Sequence, residues 1–170
     1  MPIRPATATD AAAIDALVAE AFGQDAEARL VEQLRAGSRM ACELVTEEDG
    51  AIVGHVAFSP VRIGEDGRIG EDGDRWWGLA PLAVAPAWQK RGIGAALVRR
   101  GLAAAAEAGV TLVVVLGSPA YYGRFGFLPA ERLGLRCVYE VPSDHFMACQ
   151  PQPAALPAGT VHYDAAFDGL

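Results

Sequence analysis

The stretch Leu82-Ala83-Val84-Ala85-Pro86-Ala87-Trp88-Gln89-Lys90-Arg91-Gly92-Ile93-Gly94-Ala95 carries the residues best suited to chemistry. It reads as a strand end, a proline-marked turn, a loop of basic and glycine residues, and the first turn of a helix. The first N–H groups of a helix lack an internal partner and carry the positive end of its dipole. Gly92 and Gly94 stand at that junction, so no Cβ blocks approach to the amides, and Lys90 and Arg91 add charge just ahead of them. Such an arrangement suits a phosphate, and above all a pyrophosphate. Lys90 is the only lysine in the chain.

The elements that must position this loop are legible from periodicity and punctuation. Ile3-Arg4-Pro5-Ala6 reads as a first strand. Thr9 or Asp10 caps a helix through Phe22, and Asp25 caps a second one ending near Ala36. Met40 to Glu47 is a strand, Glu48-Asp49-Gly50 a hairpin turn, and Ala51 to Ile63 the returning strand. Trp76 to Val84 is a central strand in which Pro81 cannot donate to the ladder, which predicts an irregular register near residues 80–82. Arg91 to Ala108 is a long helix stopped by Gly109, and Thr111 to Leu116 is a continuous apolar run typical of a strand buried on both faces. Together they make a parallel crossover. A short helix from Pro119 through Phe125, strands after Gly126-Phe127, over Leu135–Val141 and over Phe146–Cys149, and a proline-rich connection Pro151–Pro157 follow. Tyr163–Leu170 is a tail without an assigned state. The fold class is therefore α+β, a mixed α/β arrangement in one domain over 1–170, with its core at about 1–130 and C-terminal strands and tail at 131–170.

Composition narrows the function. With 170 residues and 52% hydrophobic content the chain can bury a full core. A net charge of −7 and a pI near 4.9 provide no basic stripe for nucleic acid. Three cysteines without a CxxC pair read as reduced thiols of a cytoplasmic protein, and three scattered histidines suggest no metal site. The N-terminus lacks the apolar core of a signal peptide, and the longest apolar tract is interrupted by Glu107, so no membrane span is expected. Ile63-Gly64-Glu65-Asp66-Gly67-Arg68 is repeated as Ile69-Gly70-Glu71-Asp72-Gly73-Asp74. Its acidic pairs lack the spacing and terminal glutamate of an EF-hand, and the composition reads as an elongated hairpin loop.

Three kinds of phosphate loop can be compared. The Walker A string GxxxxGK[ST] is absent. A dinucleotide fingerprint needs a third glycine, where Leu97 stands, and an acid after the next strand, where Leu116-Gly117-Ser118 stands. The third form is [Q/R]-x-x-G-x-[G/A] after a strand ending L-x-V-x-P. Gln89-Lys90-Arg91-Gly92-Ile93-Gly94 after Leu82-Ala83-Val84-Ala85-Pro86 matches every position. In this the chain resembles the GNAT N-acetyltransferase superfamily, and within it the YhbS-like branch. The segments Ile52–Val61 and Leu116–Phe127 extend the resemblance to about residues 1–150.

The resemblance implies a GNAT-type fold, a central mixed, twisted sheet flanked by helices, with acetyl-CoA as co-substrate in a gap where two parallel strands splay apart. Those strands would be Trp76–Val84 and Thr111–Leu116. Backbone groups of Leu82, Ala83 and Val84 would pair with the pantetheine arm, and Gln89, Lys90, Arg91, Gly92, Ile93, Gly94 and Ala95 would hold the pyrophosphate. Ser118 would stand in for an asparagine that many members carry at this strand exit. The reaction would be acyl transfer to a primary amine by direct attack, with Tyr122, four residues before Gly126-Phe127, as general acid to the thiolate. No general base is assigned; His55, Glu20, Glu43, Asp144 and a water relay all compete. Phe22, Gln24, Arg29, His55 and Phe58 are acceptor-side candidates. A small-molecule or peptide amine is the expected partner, with no metal, nucleic acid or membrane, for a monomer or homodimer. The competing function is an acyl-CoA-binding or sensing module of the same fold without catalysis.

Overall fold

A computed structural model describes residues 2–64 and 75–170. From Glu65 on, the repeat and the calcium reading weighed for it lie outside the described residues. Two compact units are built, each from separated pieces of chain: Met1–Ser59 with Ala80–Gly101 and Ala165–Leu170, and Pro60–Leu79 with Leu102–Asp164.

The first unit opens with β1 (Ile3–Pro5), α1 (Ala11–Phe22), α2 (Ala26–Ala36), β2 (Cys42–Glu48) and β3 (Ala51–Pro60). β1 and β3 flank β2, both antiparallel to it. The β2–β3 turn forms where expected: Asp49 (φ 53°) and Gly50 (φ 79°) are both left-handed, as a tight two-residue hairpin requires. A register shift at Thr46/Glu47 then leaves Val45 opposite His55 and Glu43 opposite Ala57. Arg4 fastens the start of α1 to β2. It donates to both carboxylate oxygens of Asp10, at 2.7 and 2.9 Å, and pairs with Glu47. One face of the hairpin is covered by α1 and α2, whose Ile14, Leu17, Val18, Ala28 and Val31 pack with Val45 and Ala83. The other face meets α3 (Ile93–Glu107), where Phe58 lies against Gly101. α3 begins two residues later than the sequence suggests, because Gly92 has φ 82° and cannot be helical.

In the second unit β5 (Trp76–Val84) contributes Trp76–Leu79 and pairs in parallel with β6 (Leu112–Leu116), from Trp76↔Leu112 to Gly78↔Val114. β9 (Phe146–Cys149) runs antiparallel to β6, and β7 (Leu128–Pro129) antiparallel to β9, giving the order β5-β6-β9-β7 and a mixed sheet around a parallel pair. Val113, Val114 and Val115 are buried, in keeping with a strand covered on both faces. α4 (Pro119–Tyr122) and a 3-10 turn over Gly123–Phe125 follow β6. The Ala80–Pro81 peptide within β5 is cis.

Three strand readings need correction. Ala51–Ile63 is not one strand: it breaks at Pro60-Val61, and β4 (Arg62–Ile63) turns to a different sheet. β8 covers only Leu135–Cys137, shorter than the Leu135–Val141 expected. A strand that the sequence does not announce, β10 (Gly159–His162), lies between β4, antiparallel, and β8, parallel. It offers one fully buried apolar residue, Val161, too little for a visible alternation. The tail beyond it ends in a 3-10 turn over Ala165–Gly169, within the first unit.

Candidate functional site

The candidate phosphate loop is shaped by its own side chains. After β5 a 3-10 turn over Pro86–Trp88 reverses the chain, and Gln89 Nε2 donates to the Val84 carbonyl at 3.2 Å. The amide of Ala85 donates to Val53 O at 2.9 Å, fixing the loop's root to β3. The Arg91 guanidinium stacks 4.7 Å above the Trp88 ring. Lys90 takes φ 63°, unusual for a residue with a Cβ, and Gly92 takes φ 82°. A Cβ on Gly92 would meet nothing within 4 Å, so glycine is required here by conformation, with open space in front of the amides. The first helical bond runs from Ala96 N to Gly92 O at 3.0 Å, so the amides of Ile93, Gly94 and Ala95 precede it and have no acceptor inside α3. With exposed Lys90 and Arg91 beside them, these amides make a site that fits a diphosphate. At the end of β5, Ala83 packs into the α1–α2 core while Leu82 and Val84 are half-buried.

In the second unit the residues after β6 surround Tyr122. The Ser118 carbonyl accepts from Tyr121 N at 3.1 Å and Tyr122 N at 2.9 Å, starting the short helix, while the Ser118 side chain makes no cap. The Tyr122 ring packs edge-on against Phe127, Phe125 and Tyr121. Its space exists because residue 117 is glycine: a Cβ there would lie 2.3 Å from the Tyr122 ring. Burial, with a smaller push from Tyr121, raises the Tyr122 phenol to about 12, so it carries its proton throughout the neutral range. Tyr121 is engaged otherwise, under the Arg124 guanidinium at 4.5 Å.

The acceptor-side candidates divide. Phe22 is 43% exposed at the end of α1, and Arg29 is exposed on α2, bordering a groove of about 230 Å³ with Gln33 and Ala165. Gln24 is engaged with Glu27, at 2.6 and 2.9 Å. Glu20 borders a cavity of about 390 Å³ with Asp10 and Glu47. Phe58 and His55 are fully buried and are core residues.

His55 belongs to a group the sequence does not announce. Its Nε2 lies 2.8 Å from Glu43 Oε2, which also accepts from Arg35 Nη2 at 2.8 Å; Arg35 Nη1 is 3.9 Å from Asp15 Oδ1. Four elements are thereby joined: α1, α2, β2 and β3. His55 Nδ1 is buried without a hydrogen-bond partner among the described residues. Burial pushes the Glu43 carboxyl up, but the hydrogen bonds from His55 and Arg35 outweigh it, and Glu43 stays below its usual range. Asp15 is pushed up by burial. The hairpin turn places Glu43 and His55 on one face; nothing in the spacing of Asp15 and Arg35 points to them.

Among the described residues no group of three or more His, Cys, Asp or Glu side chains could hold a metal ion, and no helix is long and apolar enough to cross a membrane.

Comparison with known proteins gives this geometry a family. The sequence profile of the Acetyltransferase (GNAT) family matches residues 11–127. The uncharacterized N-acetyltransferase YhbS of Escherichia coli strain K12 is 40% identical over 171 residues, 99% of each chain. The crystal structure of the GNAT family N-acetyltransferase YhbS from Escherichia coli in complex with CoA superposes with a TM-score of 0.89 at 38% identity, covering 98% of this chain and 91% of that one. A GNAT family acetyltransferase from Brucella melitensis in complex with acetyl-CoA superposes with a TM-score of 0.80 at 38% identity, covering 98% of this chain and 97% of that one.

Two outcomes are expected. Glu43→Ala leaves Arg35 and His55 without their buried partner and costs about 3–5 kcal/mol at neutral pH. A carboxyl lowered by folding stabilises above its unfolded value and loses that contribution as pH falls through its folded one. The gap between wild type and Glu43→Ala, read by urea denaturation, therefore narrows from pH 7 toward pH 3. Gly117→Ala displaces the Tyr122 ring and costs about 1–3 kcal/mol, read the same way.

Proposed function

The chain belongs to the GNAT acetyltransferase family, and on that footing we propose that it transfers the acetyl group of acetyl-CoA to a primary amine on a small molecule or peptide. The observation that carries this reading is the set of open amides at Ile93, Gly94 and Ala95, fronted by Gly92 at φ 82° and by Lys90 and Arg91. Coenzyme A presents a pyrophosphate, and helix N-termini with unobstructed amides bind such groups. Two solved relatives at 38% identity carry CoA and acetyl-CoA. Gln89 acts indirectly, by closing the loop onto Val84. Leu82, Ala83 and Val84 offer backbone groups for the pantetheine arm, in the manner of an added strand. Ser118 lies at the exit of β6 as a further polar contact. Phe22 and Arg29 remain the exposed side chains for the acceptor.

The amine attacks the thioester carbonyl, a C–N bond forms, the attacking nitrogen gives up one proton to water, and the C–S bond breaks to release a thiolate. Tyr122 supplies the proton. Its phenol is protonated at neutral pH, and burial raises it to about 12. A thiol of ordinary pKa, about 8.5, is the stronger acid, so proton transfer runs with C–S cleavage and not ahead of it. The three unpaired thiols suit a reducing compartment, and we place the protein in the cytoplasm. A sensor that binds acyl-CoA without turnover is the second reading; burial of His55, which removes one candidate base from solvent, favours it.

Thiol release from acetyl-CoA across a panel of peptides, polyamines, aminoglycosides and amino acids separates the two readings. Release with at least one amine is the enzyme; calorimetric binding with no release is the sensor. Tyr122→Phe is expected to lower kcat by about 10²-fold or more with little change in acetyl-CoA affinity. Replacing Gly92 and Gly94 by valine abolishes binding; unchanged binding of coenzyme A would overturn the phosphate-loop reading.

A further inference from the structure

The parallel ladder of β5 and β6 ends at Gly78↔Val114, although β6 runs on to Leu116. That pair is the closed end of any gap between the two strands. A group that reaches it cannot continue in the plane of the sheet, where the strands are hydrogen-bonded to one another, and has to turn out on one face. Side chains alternate along a strand, so Leu79 and Val115 leave on one face, and Gly78 and Val114 on the other. Leu79 and Val115 are buried and fill their side. On the other side β5 contributes only a glycine. Gly78 is not in the left-handed region, so its backbone does not demand glycine; the space in front of it does. A Cβ there would lie 2.8 Å from the Tyr163 ring and 3.0 Å from Val61 Cγ1. Tyr163 follows β10 directly and is 5% exposed. Its ring stacks on Tyr139, with centroids 6.0 Å apart and planes 28° apart. β10 is held on both sides, by β4 and by β8, and the Val138 amide donates to the Val161 carbonyl at 3.1 Å. The smaller sheet thus sets an aromatic ring on the one glycine of β5. Burial pushes the Tyr163 phenol well above its usual value, so this surface is uncharged.

We propose that Tyr163 is the specificity-determining residue for the acyl donor: its ring closes the Gly78 face at the end of the gap and restricts the acyl group to acetyl, excluding butyryl and longer chains. The inference rests on the reading that acetyl-CoA lies between β5 and β6 with its thioester toward the closed end. It does not depend on the acceptor or on Tyr122 as the acid. The ring acts by occupying space, which a longer chain could enter only by displacing it from Tyr139 and Gly78.

The experiment is calorimetry of the full chain with CoA, acetyl-CoA and butyryl-CoA. The wild type is expected to bind acetyl-CoA about tenfold or more tightly than butyryl-CoA, the discrimination that a filled apolar site gives against added methylenes. In Tyr163→Leu, which frees the outer part of the ring's space, this ratio falls below about threefold. Tyr163→Phe keeps the ring and keeps the ratio. Equal binding of the two thioesters by the wild type overturns the wall, and so does an undiminished ratio in folded Tyr163→Leu. Should Tyr163→Leu fail to fold, NMR of the ring-labelled tyrosines decides. The Tyr163 signal, assigned by its loss in Tyr163→Phe, is expected to differ between the CoA and acetyl-CoA complexes, and an identical signal in both overturns the wall. If the wild type binds no CoA at all, the coenzyme reading falls and the wall with it. Binding of CoA and acetyl-CoA without discrimination against butyryl-CoA removes the wall alone.

Discussion

The start of α3 is the constraint from which the candidate site follows. An α-helix cannot satisfy its first amides, and here neither a side-chain cap nor a preceding strand is needed if an anion is to be held there. The chain reaches this point by an unusual path. Lys90 stands in the left-handed region at φ 63°, which costs a residue with a Cβ about 1–2 kcal/mol. Contacts on either side hold it there: Gln89 closes onto the Val84 carbonyl, and Arg91 lies over Trp88. The loop is thus held in shape by its own strand end.

The two units handle buried polarity in different ways. In the first, Glu43 accepts from Arg35 and meets His55, and Arg35 lies 3.9 Å from Asp15, joining both helices to the hairpin. Such a cluster contributes little net stability against an apolar replacement, but it specifies one arrangement of α1 and α2 over the hairpin. In the second, Tyr122 is enclosed by aromatic edges, and burial, with a smaller push from Tyr121, raises its phenol to about 12. Charge pairing fixes the first arrangement, and desolvation makes the second phenol a weaker acid than it is in water.

Most elements near the loop were legible because their signals are local. Asp25 ahead of α2, Asp49-Gly50 in the hairpin and the apolar run of β6 each announce themselves within a few residues. The loop was readable for the same reason, since Gln89, Gly92 and Gly94 are neighbours in sequence. What could not be read depends on distant partners. β4 becomes a strand through β10, and β10 through β4 and β8, with 98 positions separating His162 from the Gly64 carbonyl it meets at 2.9 Å. His55 competed as a base without being assigned, and in the structure it is a fully buried core residue. Gly117 seemed to be a loop residue, and its use is to admit a ring five positions on.

Gly64 and Arg75, the residues on either side of positions 65–74, are both tethered. Gly64 is held from both sides, its amide by Thr160 and its carbonyl by His162, and on the far side the Arg75 carbonyl accepts from Thr111. Once the two ends are fixed, doubling the length of a connection costs only about 0.6 kcal/mol in closure entropy. The repeat Ile-Gly-Glu-Asp-Gly therefore adds length between two points that are already fixed, at a small cost in closure entropy.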